Sequence, residues 1–335
     1  MSHPRLVDVA AQAGVSMRTV SNVVNGFPHV SARTRERVEK AIVQLGYRPN
    51  LTARNLARGR TGLVALVVPR LEMPYFAALA QQVLEVSEAE GMFTVIQQTH
   101  DSHELELEAL EGRFGQRIDG VILSPTTLEV ADVVGRSSDI PLVLLGDKDW
   151  RTTPAWSVGI DHEAASEAAV AHLLANGCRR IGMVGPGLST PGHRRWVGYM
   201  RAHEKAGIAT DPGLIFETAG LSGQDGAIAG ERVAAMENRP DALFCLTDWV
   251  ALGVIRGLQR AGVSVPDDVA VVGYDDIPYG RAANPTLTTI APDRREIATT
   301  AIQSLLEQSA GTTEEPHAFV TGWKLVVRES SGSAL

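Results

Sequence analysis

Arg18, Ser21 and Asn22 are the residues whose types and spacing first suggest a defined chemistry. A guanidinium forks two hydrogen bonds onto the N7 and O6 of guanine. A carboxamide does the same for N7 and N6 of adenine, so an arginine and an asparagine one turn apart on a helix can read base edges. Catalytic chemistry is poorly served by comparison. The run GPGLSTPG at 185–192 follows an apolar stretch and precedes a helical one, but its glycines lack dinucleotide spacing and it holds no phosphate-loop lysine. No Gly-x-Ser-x-Gly elbow and no His-Glu-x-x-His pair occurs. His162, His172, His193 and His203 are scattered, and Cys178 and Cys245 lie far apart in apolar surroundings that suit reduced thiols. No catalytic residue, cofactor or metal site is expected.

The elements that must position the base-reading candidates are short helices. Leu6, Val9, Ala10 and Ala13 share one face of a first helix, which Gly14-Val15 ends. Ser16 can cap a second helix running to about Asn25. Val20, Val23 and Val24 supply its apolar stripe, leaving Met17, Arg18, Ser21 and Asn22 on the opposite side. A third helix, capped by Ser31, is expected to bury Val38, Ile42 and Leu45. Three helices around one small core, with the second presented outward, form a helix-turn-helix. Charge points the same way: residues 1–60 hold ten Lys or Arg against three acids, a net of +7, which leaves −15 for the remainder of a chain whose total is −8. Phosphates attract such a head and repel such a body.

From Thr61 onward the rhythm changes. Apolar runs at 62–69, 93–98, 119–124, 140–146 and 157–161 read as buried parallel strands, and the pattern returns at 180–185, 214–220, 241–246 and 269–275, with helices between. The fold class expected is an all-α head followed by an α/β body of two doubly wound parallel-sheet lobes. PTLTTI (285–290), a helix from about Arg294 to Gln308, and WKLVVRESS (323–331) close the pattern. No window reaches the length of a membrane span and the opening residues carry no apolar signal, so the expected location is the cytoplasm and no membrane partner is expected. A transporter's solute-binding protein would share such a body, but it would need a signal peptide and no basic head.

The segments LVDVAAQAGVSMRTVSNVVNG and VSARTRERVEKAIVQLGYRPN resemble the lactose-repressor family of bacterial regulators, and the likeness continues to the last strand. The resemblance implies a DNA-binding domain at 1–48, a hinge helix or linker at 49–60, and a periplasmic-binding-protein-like effector-binding and dimerisation domain at 61–335. It implies base reading by Met17, Arg18 and Asn22, and phosphate contacts by Thr19, Ser21, Asn25, His29, Ser31, Thr34 and Tyr47. In the hinge it places Asn50, Ala53 and Leu56 on DNA, with Leu56 wedged between base pairs in the minor groove. Asn22 stands where the family usually has arginine, which puts the usual operator sequence in doubt.

For the effector, the same resemblance implies Leu71, Met73, Tyr75 and Phe76 after the first strand, Arg195 and Asp275 as polar anchors, and Thr247 and Trp249 where the family has Asn-Asp. Asp147 lies one position beyond the usual acid. The partners implied are a pseudo-palindromic duplex operator, a small polar, sugar-like effector and a second copy of the chain. Without a heptad tail after Ser331, a homodimer is expected. Repression is the favoured direction, since nothing resembles a polymerase-contacting appendage.

Overall fold

The computed structural model describes residues 4–24, 27–47, 60–185, 192–311 and 317–332. The chain divides into two compact units, Met1–Gly62 and Leu63–Leu335.

The first unit holds α1 (Leu6–Ala13), α2 (Met17–Val24) and α3 (Ala32–Leu45). Gly14 takes the left-handed conformation, φ 62°, that stops α1 and lets the chain turn into α2. The Oγ of Ser16 then accepts the amide of Thr19 at 3.1 Å, and that of Ser31 accepts the amide of Thr34 at 3.3 Å. Arg37 of α3 donates to the carbonyls of Ala13 and Gly14, capping the end of α1 from a third element. The core is Val9, Ala10, Ala13, Val20, Val23, Val38, Ala41 and Tyr47. Ile42 and Leu45, expected at its centre, are only partly buried. The inward face of α3 is set by Val38 and Ala41, because an alanine lets α3 approach its neighbours closely. The expected hinge at 49–60 falls almost wholly outside the described residues.

The second unit contains two six-stranded sheets. The first has the order β11-β5-β4-β3-β1-β2, formed by β1 (Leu63–Val68), β2 (Phe93–Gln98), β3 (Gly120–Leu123), β4 (Leu142–Leu145), β5 (Trp156–Ile160) and β11 (Ala318–Thr321). The second has the order β12-β10-β9-β8-β6-β7, formed by β6 (Ile181–Gly185), β7 (Ile215–Glu217), β8 (Ala242–Cys245), β9 (Ala270–Tyr274), β10 (Thr288–Pro292) and β12 (Trp323–Val326). All pairings are parallel except β10 with β12. The expectation of uniformly buried strands fails at the edges: β2 is exposed at Phe93 and only partly buried beyond it, and β7 buries Phe216 alone. An edge strand has a neighbour on one side only, so its cover is incomplete.

Helices α4 (Pro74–Ala89) and α12 (Arg294–Ala310) pack against each other and on the first sheet. α5 (His103–Leu110) and α6 (Val130–Val134) flank the first sheet, while α7 (His162–Ala175), α8 (His193–Ala206), α9 (Gly223–Ala234), α10 (Asp248–Arg260) and α11 (Pro278–Arg281) belong with the second. α9 and α10 approach so closely that a Cβ on Gly253 would lie 2.0 Å from the carbonyl oxygen of Gly223. The chain crosses between lobes three times: from β5 into α7, from β10 into α12, and from β11 into β12. Asp293 N–H donates to the Gly322 carbonyl at 2.9 Å and Gly322 N–H to Glu296 at 2.7 Å, tying two of these crossings together. Cys245 is buried and Cys178 half-buried, both as free thiols.

Candidate functional sites in the head and the cleft

On the head, Met17 is 54 % exposed and Arg18 is exposed with no hydrogen bond or ion pair among the described residues. Both stand in the first turn of α2, which is what a groove-reading helix requires. Ser21 and Asn22 sit half-buried one turn on. The hydroxyls of Thr19, Ser31 and Thr34 already serve the helix starts: Thr19 Oγ1 lies 2.9 Å from Ser16 Oγ, and Ser31 donates to Thr34 Oγ1 at 2.9 Å. His29 is exposed and meets Phe27 edge-on, ring centroids 5.9 Å apart. Tyr47 is a core residue, 9 % exposed, and its first contribution is packing. Asn25, Asn50, Ala53 and Leu56 lie outside the described residues.

In the body, the candidate residues follow from where strands end. The carboxyl end of β4 delivers Asp147, that of β5 delivers His162, that of β8 delivers Leu246 and Thr247, and that of β9 delivers Asp275. Open parallel sheets bind ligands at these ends. Arg195 enters from the first turn of α8, its guanidinium carbon 3.9 Å above the centroid of Tyr274. It donates to the Leu246 carbonyl and sits 3.7 Å from Asp147 Oδ2. His162 Nδ1 lies 2.8 Å from the Tyr274 hydroxyl and 3.9 Å from Asp147 Oδ1. Both Asp147 oxygens and Arg195 Nε are buried with no hydrogen-bond partner among the described residues. Such atoms are costly in a protein interior and are ordinarily matched.

The electrostatics follow from burial. Desolvation lowers the pKa of His162 to about 4, against the pull of Asp147, so its imidazole is neutral at neutral pH. Desolvation raises Asp275 to about 7, opposed by Arg195 and Arg294. The phenol of Tyr75 is pushed up to about 12 by burial. The ring of Tyr75 meets Phe76 edge-on, centroids 5.2 Å apart. Leu71 N–H donates to Gln98 at 2.7 Å, fixing the loop after β1, and Met73 occupies the cap position of α4.

Two expected residues behave differently from their neighbours. Thr247 is 5 % exposed and spends its acceptor on the Val250 amide at 3.2 Å as the cap of α10. Trp249 turns toward Tyr279, centroids 5.9 Å apart, and lies against Gly223, so its ring packs between helices of the second lobe. Tyr274 and Arg294 are cluster members that sequence reading did not single out, and His162 was noted only as one of several scattered histidines. Their shared signal is position: each follows or ends a strand at the cleft side.

The chain matches the family model described as bacterial regulatory proteins, lacI family, over residues 5–50, and the periplasmic binding protein-like domain over residues 170–331. It is 33 % identical to the catabolite control protein A of Priestia megaterium over 303 residues, covering 90 % of this chain and 91 % of that protein. It is also 33 % identical to the HTH-type transcriptional repressor PurR of Haemophilus influenzae (strain PittEE) over 336 residues, 98 % of each. Among solved structures, the lac repressor dimer bound to operator and the anti-inducer ONPF superposes with a TM-score of 0.79 at 28 % identity, covering 99 % of this chain and 100 % of that one. The transcriptional regulator CelR in complex with cellobiose gives 0.71 at 32 % identity, over 98 % and 99 %.

Proposed function

This chain belongs to the lacI family of bacterial regulatory proteins, and we propose that it is a repressor whose hold on a pseudo-palindromic operator is set by a sugar-like effector bound at Arg195, Asp147 and Asp275. The observation that carries the effector reading is the set of three buried atoms without a hydrogen bond among the described residues, the two Asp147 oxygens and Arg195 Nε, the closest approach between them being 3.7 Å. A carboxylate accepts hydroxyl protons and a guanidinium donates to hydroxyl oxygens, so a polyol matches all three at once. Tyr75 and Phe76 form the aromatic wall, with Leu71 and Met73 beside them. The CelR relative with cellobiose supports a sugar over other polar metabolites. On the DNA side, Met17, Arg18 and Asn22 read bases, Thr19, Ser21, Asn25, His29, Ser31 and Thr34 contact phosphates, and Asn50, Ala53 and Leu56 act in the hinge at 49–60.

The three crossings supply the mechanism. A ligand bridging the lobes favours one lobe angle, and that angle sets the separation of the paired hinges and heads of a dimer. Effector and operator affinities then shift reciprocally, by a coupling of about 1–3 kcal/mol. No reaction is assigned to the cleft. A protein that binds chromosomal DNA works in the cytoplasm, and among the described residues no helix is long and apolar enough to cross a membrane.

A thermal-shift screen of the full chain with mono- and disaccharides (cellobiose included), polyols and nucleosides tests the effector reading. A stabilising compound whose effect disappears in Arg195→Ala and in Asp147→Asn supports it. A compound that stabilises both variants as it does the parent overturns it.

A further inference from the structure

We infer that Arg294 is a positioning residue, reaching from one lobe to the other to hold the loop that presents Asp275; this rests on the effector role proposed for Asp275. The loop after β9 is unusual in its backbone. Asp275 and Asp276 take φ of 115° and 49°, in the left-handed region that non-glycine residues avoid. Two consecutive residues there persist only when neighbours over-determine them.

Most of that constraint comes from the second lobe itself. Asp275 N–H donates to the Ile290 carbonyl at 2.8 Å, and Asp276 N–H to Thr289 Oγ1 at 3.3 Å. Ile277 N–H donates to the buried carboxylate of Asp248 at 2.8 Å, which also accepts from Thr289 at 2.6 Å. The Asp276 carboxylate is held by Arg281 at 2.6 Å and Arg328 at 2.5 Å. These contacts fix amides and one side chain. They leave the carbonyls of Asp275 and Asp276 to Arg294, whose guanidinium donates to both.

Arg294 is the first residue of α12, and α12 packs on α4 and on the first sheet. The loop belongs to the second sheet. A single planar fork therefore spans the crossing and grips the two consecutive peptide groups that follow the ligand-facing carboxylate. Arg294 and Asp276 also line an open 460 Å³ cavity with Gln82, Pro292 and Lys324, which gives the loop space to relax once released. A change of lobe angle that displaces α12 must pull on this fork, so the aim of Asp275 and the lobe orientation move together.

Amide hydrogen exchange on the full chain without any sugar tests the assignment, and so stays independent of whether the effector proposal holds. In Arg294→Met, the amides of Asp275, Asp276 and Ile277 should exchange faster by roughly tenfold or more, with those of Val271 to Gly273 in β9 unchanged. Arg294→Lys, which keeps a donor and the charge, should fall between Met and the parent. Parent-like loop exchange in Arg294→Met, equal acceleration of loop and strand, or no rescue by lysine would each overturn the assignment.

Discussion

Tyr274 serves two polar groups at once: the guanidinium carbon of Arg195 lies over its ring, 3.9 Å from the centroid, and His162 meets its hydroxyl at 2.8 Å. The phenol is buried and its pKa is raised well above the ordinary value by desolvation, so it remains neutral and its hydroxyl stays a dipole facing the His162 imidazole. The ring supplies a π face for a buried cation, and the hydroxyl fixes the orientation of a neutral histidine.

Tyr274→Phe separates the two duties. It keeps the platform under Arg195 and strands the His162 nitrogen, at a cost of about 1–3 kcal/mol. Tyr274→Ala removes the platform as well and opens a cavity, for a loss of about 3–5 kcal/mol. Denaturant midpoints of the three chains should fall in that order, and a Phe variant as stable as the parent would remove the hydroxyl from the account.

His162 and Asp275 should give opposite pH slopes. His162 drops from 6.5 to about 4 on folding, so the unfolded chain takes up its proton first as pH falls, and its contribution is complete above 6.5 and lost toward 4. Asp275 rises from 3.8 to about 7, so the folded chain keeps a proton the unfolded chain has released, and stability falls as pH rises through that window. Relative to the parent, Asp275→Asn should gain stability steadily from about pH 4 to about pH 7, and His162→Gln should lose part of its acid sensitivity between 6.5 and 4, each by a few kcal/mol at most. Chemical denaturation across that range reads the difference, and parallel pH profiles for parent and variants would contradict the assignment.

Most of this architecture was legible from period and punctuation. The three helices of the head, their Ser16 and Ser31 caps and the stop at Gly14 are local features, and the structure reproduces them. β11 was not anticipated, because AFVT is short and only Thr321 is buried, so it carries no core signal. In the cleft, the structure brings Arg195 to Asp147 and onto the Tyr274 ring, and packs Trp249 against Tyr279 and Gly223. Tyr274 and Arg294 were hidden because their roles depend on what arrives from another lobe or helix. A tyrosine ending an apolar strand and an arginine opening a helix look ordinary until the three crossings bring them to one place.

Glu106 shows how one buried carboxyl group can order the loop that follows a strand. It is fully buried, and its carboxylate accepts from the amides of Thr126, Thr127 and Leu128 at 2.8, 2.9 and 3.0 Å and from both threonine hydroxyls at 2.8 and 2.7 Å. The loop after β3 is thereby folded around a single side chain. Glu106→Gln turns one acceptor into a donor facing donors, and should cost about 2–4 kcal/mol with proteolytic sensitivity appearing at 125–128. An intact loop and an unshifted melting temperature in this variant would mean the hydrogen bonds are replaceable by water.

Specificity at the operator should lie in Arg18 and Asn22, which α2 carries one turn apart. Removing a bidentate reader relaxes discrimination at one base pair, whereas removing a phosphate contact weakens all sequences alike. Arg18→Ala should therefore flatten the preference at one position per half-site, by about 1–3 kcal/mol. An amide favours adenine and a guanidinium favours guanine, so Asn22→Arg should switch the preferred base at its position rather than merely tighten binding. Selection of duplexes from a randomised pool at fixed salt, followed by sequencing, resolves both effects. If Arg18→Ala lowers affinity for every duplex by the same factor, Arg18 is a phosphate ligand and the base-reading assignment for that residue falls.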